Sequence, residues 1–208
     1  MLGKKLLADG VTPTTAKISV IKFGGEAGRD YSVEDAAYVA QDICVYRFDV
    51  PWLRDINLVD TPGTNAVFTQ HESLTKEFLP RSDLVLFVTS ADRPFSASER
   101  ELLKLIQTWR RKLVVAVNKI DSIETEEDRK KVVDFVQHNT QELVGLTEQQ
   151  AVPVFPLSAR KSLRGEKDAG FEVLQKYVLQ TLSSGERAVI KLRSPLGMVS
   201  KGKRRTWP

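Results

Sequence analysis

The chain has 208 residues, 41% hydrophobic and 28% charged, which suits one folded α/β domain and excludes both disorder and a second large domain. Its formal charge of +4 comes from Lys201, Lys203, Arg204 and Arg205 in the terminal KGKRRTWP, so the body is neutral and gives no electrostatic reason to expect a nucleic-acid partner. The single cysteine, Cys44, excludes an internal disulfide and a cysteine zinc site, and no apolar run approaches the ~18 residues of a membrane span.

Short β-branched runs alternate with helical patterns along the chain, the signature of a mainly parallel sheet with helices on both faces. Strands are predicted at 15–23, 43–50 and 55–59, with the segment 23–37 between the first two, rich in glycine and charge, as a hairpin or surface loop. Further strands are predicted at 83–89, 112–118 and 152–156. Leu84 to Val88 and Leu113 to Val117 are continuously apolar, as befits central strands covered on both sides. Between them Ser98 and Glu101 form a capping-box pattern, followed by Leu102, Leu105, Ile106 and Trp109 at helical spacing. Two more helices are predicted, one over 126–143 with Val132, Val136 and Leu143 inward, and one over 171–182 with Phe171, Leu174, Val178 and Leu182 on one face.

Three polar motifs each follow a predicted strand, where the loops of an open α/β sheet converge on a ligand. Asp60-Thr61-Pro62-Gly63 follows the first: Asp60 can hold Mg²⁺ through its water shell, and flexible Gly63 can bring a backbone N–H to a terminal phosphate. The same four residues also suit an ordinary turn. Asn118-Lys119-Ile120-Asp121 is more specific. A carboxylate at Asp121 accepting both N1–H and the 2-amino group selects guanine over adenine, which offers no such donor pair on that edge. Asn118 would tie neighbouring loops together, while the Lys119 stem can lie over the base. In Ser158-Ala159-Arg160 the Ala159 N–H can donate to the guanine O6. Upstream, Gly10 to Thr15 reads GVTPTT. A threonine there can ligate Mg²⁺ only when the γ-phosphate is present; Thr12 is the first candidate for this catalytic and metal role, with Thr14 and Thr15 behind it.

With these residues in place the chain resembles the dynamin-like GTPases of bacteria and chloroplasts, related to the fuzzy-onion, mitofusin-like membrane-remodelling proteins. The resemblance covers roughly residues 2–196 and rests on GVTPTT, on DINLVDTPGTN at 55–65, on FLPRSD at 78–83, on SADRP at 90–94, and on NKID and SAR. It implies a P-loop-NTPase-like fold and GTP hydrolysis with Mg²⁺, coupled to membrane remodelling, with GTPase domains pairing across the nucleotide face. It places Thr12 and Asp60 at Mg²⁺, Thr61, Pro62 and Gly63 at the phosphates, and Asn118, Lys119, Asp121, Ser158 and Ala159 at guanine.

The family's first strand and its P-loop, GxxxxGK followed by Ser or Thr, would precede Met1-Leu2-Gly3-Lys4-Lys5, so a GTPase domain truncated at its start is expected over 1–183, impaired in hydrolysis. Residues 184–208 are expected to begin a truncated helical region ending in the basic tail. The intact parent would be membrane-associated in a chloroplast, another organelle or a bacterial cell, while these residues alone suggest a soluble chain. Two other readings remain open: a catalytically inactive interaction module, and a ribosome-assembly GTPase, for which an appended RNA-binding domain would be expected.

Overall fold

The computed structural model describes residues 18–24, 32–34, 43–61, 78–109, 112–146 and 151–182. They fall into two compact units, one ending at Thr61 and one beginning at Phe78, and each is taken by itself.

The first unit is a four-stranded sheet of β1 (Ile18–Phe23), β2 (Ser32–Glu34), β3 (Ile43–Phe48) and β4 (Leu58–Asp60), in the order β2-β3-β1-β4. The longest ladder is parallel, β1 against β3 from Ile18↔Ile43 to Phe23↔Phe48, while β4 and β2 add on antiparallel. Strand β2 lies within the glycine-rich stretch read as a hairpin or loop; at three residues it is too short to show alternation. Ile21, Phe48 and Leu53 are buried together, and the Arg54 guanidinium lies 4.8 Å from the centre of the Phe23 ring.

The second unit is a three-stranded, all-parallel sheet of β5 (Leu84–Ser90), β6 (Lys112–Asn118) and β7 (Val154–Pro156), in that order. Between and after the strands run α1 (Ala97–Trp109), α2 (Glu126–Val144), the short α3 (Ala159–Leu163) and α4 (Ala169–Thr181). Period-two geometry explains the continuous apolar run of β6. Val115 and Val117 point into a cluster with Leu103 and Ile106 of α1 and Val136 of α2, while Val114 and Ala116, on the other face, are equally buried. Phe155 shares that second face, since it is in register with Ala116, and packs on Tyr177 of α4 with ring centroids 5.3 Å apart. Helices therefore cover both faces of β6, as its sequence demands.

The helix ends show which polar signals were used. Two overlapping Ser-x-x-Glu patterns, from Ser96 and from Ser98, stand at the start of α1. The box forms on Ser96 and Glu99, with Ser96 N–H donating to Glu99 Oε2 at 2.7 Å and Glu99 N–H to Ser96 Oγ at 3.4 Å; the expected Ser98–Glu101 pair is not the one. The helix thus starts earlier, and Leu103, fully buried, joins Ile106 as its inward anchor. Thr125 caps α2, accepting from Asp128 N–H at 3.1 Å, and Gly145 closes it at φ +65°. Helix α4 begins two residues before the expected Phe171 because Asp168 caps it. Gly170 there is obligatory in kind, since a Cβ would sit 1.8 Å from the Pro156 carbonyl oxygen of β7.

Candidate functional site

The carboxyl ends of β5, β6 and β7 bring the second and third motifs together. β6 ends on Asn118, whose backbone carbonyl accepts from Ala91 N–H at 2.8 Å, joining the end of β5 to that of β6. Its side-chain Oδ1 accepts from Lys119 N–H at 2.8 Å and from Ala159 N–H at 3.0 Å. Asn118 thus joins three loops, the end of β5 through its backbone carbonyl and the loops after β6 and β7 through its side chain. Lys119 adopts φ +60°, ψ +30°, a left-handed conformation that a non-glycine residue holds only when its surroundings enforce it. The reversal starts the turn Ile120–Ser122, closed by Ser122 Oγ donating to the Lys119 carbonyl at 2.8 Å, and lets Ile120 N–H reach the Leu157 carbonyl at 3.2 Å. Asp121 is carried on this turn.

Ser158 is fully buried and caps α3, its Oγ accepting from Lys161 N–H at 3.3 Å. The Ser158 hydroxyl is also the main influence on Asp121, holding that carboxyl below the ordinary carboxylate range with Arg160 assisting. Arg160 Nη2 donates to Asp121 Oδ2 at 2.6 Å; the Arg160 side chain is 68% exposed, that of Asp121 only 11%. Lys119 Nζ lies 3.6 Å from Asp92 Oδ1, and Asp92 accepts a short bond from the Ser90 hydroxyl; that bond first, and Lys119 after it, lower the Asp92 pKa. At neutral pH both aspartates are ionised, so Asp121 is an acceptor only, as a donor pair on a ligand requires.

Sequence reasoning missed three contributors. Asp168 accepts from Ser158 N–H at 3.1 Å and from Phe171 N–H at 2.8 Å, so one carboxylate fixes the third motif and caps α4. Its position three residues before Phe171 is an N-cap signal that could have found it. Arg160 and Asp92 carry no such signal for their ion pairs, because the partners Asp121 and Lys119 lie far off in sequence; only the Ser90–Asp92 bond is local.

Asp60 ends β4 in the first unit, with Thr61 half-buried beside it. Burial alone raises the Asp60 pKa. Thr12, Pro62 and Gly63 lie outside the described residues, as do Thr14, Thr15 and the basic tail. Among the described residues no cluster of three or more His, Cys, Asp or Glu side chains is placed to hold a metal, and no helix is long and apolar enough to cross a membrane.

A family model of the elongation factor Tu GTP binding domain matches residues 4–184. The chain belongs to that family of GTP-binding domains. It is the G domain of a dynamin-like GTPase: it is 33% identical, over 97% of its length, to the probable transmembrane GTPase FZO-like, chloroplastic, of Arabidopsis thaliana. It is also 25% identical over 67% of its length to dynamin-like protein 1 of Campylobacter jejuni. In fold it is similar to a solved bacterial dynamin, from an oligomerised pair described as sensing and tethering membranes, with a TM-score of 0.69 at 15% identity over 92% of this chain and 37% of that one. The G domain spans 24% of the length of the Arabidopsis protein and 21% of the Campylobacter protein. The α/β P-loop-GTPase fold and the guanine-nucleotide class expected from the three motifs therefore hold.

Proposed function

We propose that the loops after β5, β6 and β7 form the base-selective half of a GTP site in a protein that hydrolyses GTP to act on a membrane. The observation that carries this is the junction at Asn118, whose Oδ1 takes the Ala159 N–H at 3.0 Å while Asp121 stands ionised on the next turn. Asp121 accepts the N1–H and 2-amino protons of guanine, Ala159 N–H meets O6, and Ser158 and Asp168 keep these groups in place. Placement of this kind precedes binding, so little ordering opposes it.

Asp60 suits a role facing Mg²⁺, because a carboxylate whose charge is disfavoured by burial gains from a nearby cation. Thr12 is proposed as the second Mg²⁺ ligand and γ-phosphate sensor, with Thr61, Pro62 and Gly63 at the phosphates. Bound Mg²⁺ would neutralise charge developing on the phosphates. Pairing of G domains across the nucleotide face and membrane association of the whole protein, in a chloroplast, another organelle or a bacterium, are proposed with it. They are supported by the descriptions of the Arabidopsis and bacterial relatives.

Asp121→Asn tests the base assignment. An amide presents a donor where guanine's 2-amino group also donates, so GDP affinity should fall by about 10- to 100-fold, the worth of a hydrogen bond to a charged group. XDP, which has a carbonyl at that position, should become the preferred ligand in equilibrium titration. Unchanged preference for GDP over XDP would remove Asp121 from the site.

A further inference from the structure

The acceptor that selects the base already has a donor on it. Arg160 Nη2 is 2.6 Å from Asp121 Oδ2, and this is the only ion pair of Arg160 among the described residues. A guanidinium and the Watson–Crick edge of guanine are alike in presenting planar, adjacent N–H groups to a carboxylate. Both cannot satisfy the same oxygen in the same geometry. We propose that Arg160 is a latch on the base pocket, a built-in competitor that occupies one carboxylate oxygen of Asp121 with an N–H donor and must swing out for the base to enter. This rests on the assignment of Asp121 to guanine.

The surroundings suit a latch. The Arg160–Asp121 bond lies at the surface, so the guanidinium offsets the carboxylate charge while water can replace it. Arg160 is 68% exposed on the first turn of five-residue α3, so its head can reach water when displaced. The acceptor does not depend on the latch for its position: Asp121 sits on a turn closed by Ser122, and the Ser158 hydroxyl is its stronger neighbour. The pair's exposed side makes it weak and sensitive to salt. A partner that holds Arg160 elsewhere would raise guanine affinity without touching the nucleotide, because apparent affinity scales with the fraction of molecules whose site is open.

Arg160→Met keeps the apolar stem and removes the fork. GDP dissociation constants are measured for wild type and variant at about 0.05 M and 0.5 M KCl, and their ratio is used, so that salt effects on the phosphates cancel. The variant should bind GDP about two- to fivefold more tightly at low salt, the range of an exposed ion pair, with the ratio falling toward one at high salt. Arg160→Gln, measured in parallel, should behave the same way. Equal or weaker binding by these variants at low salt, or a ratio independent of salt, overturns the latch. Asp121→Asn separates the two ideas: if its shift to XDP fails, the base assignment falls and the latch with it. If the shift holds while the Arg160 variants bind GDP as wild type does, only the latch is wrong.

Discussion

Asp60, at the end of β4, and Asp121, on the turn after β6, are carboxylates pushed in opposite directions, and the causes differ in kind. Hydrogen bonds from Ser158 and Arg160 favour the charge on Asp121; burial disfavours it on Asp60. A raised folded pKa means that Asp60 favours folding while protonated. That contribution is full below the unfolded carboxylate value, about 3.9, and is lost as pH rises through the folded value. At neutral pH the folded chain carries the charge at some cost. In metal-free buffer at pH 7, Asp60→Asn should therefore stabilise the chain by a few tenths to about 1 kcal/mol, a small gain because solvent still screens a half-buried group. Below about pH 4 the advantage should vanish. Urea unfolding at the two pH values measures it, and destabilisation at pH 7 would mean that Asp60 has a favourable partner.

At the scale of elements, what was legible followed from periodicity. β6 was bounded to the residue, because seven residues with five continuous apolar ones leave no other strand register. Helix α2 was found to within one residue at its carboxyl end, since Glu126, Glu127 and Asp128 mark its start and Gly145 its stop. Competing local signals were harder. Ser96 and Ser98 both precede a glutamate by three residues, and only the fold decides between them. The contacts place the box on Ser96. Ser96→Ala should lower thermal or urea stability by about 1 kcal/mol, whereas Ser98→Ala should stay within about 0.5 kcal/mol. Equal losses from the two serines would contradict the assignment. Strand β2 was not singled out within the stretch 23–37, read as a hairpin or surface loop, because the three residues Ser32 to Glu34 carry no period to detect.

Over the whole molecule, the residues of the proposed site could be named from the sequence, and the contacts that hold them could not. Asn118, Asp121, Ser158 and Ala159 were named because guanine recognition calls for such groups in the loops after strands. The contacts that hold them join residues 41 apart for Ala159 and Asn118, and 39 apart for Arg160 and Asp121. Such pairs exist only once β6 and β7 are side by side, so spacing along the chain is silent about them. Asp168 belongs to the same class: its N-cap role is local, while its hold on Ser158 is tertiary.

Amide chemical shifts of the ¹⁵N-labelled chain, followed during titration with GDP and separately with ADP, test the guanine site most directly, because they report location and selectivity together. GDP should move the Lys119, Asp121, Ala159 and Arg160 amides as one group, and ADP at the same concentrations should leave them in place. Shifts confined to other residues, or the same shifts with both nucleotides, would contradict a guanine site built on Asn118, Asp121 and Ala159.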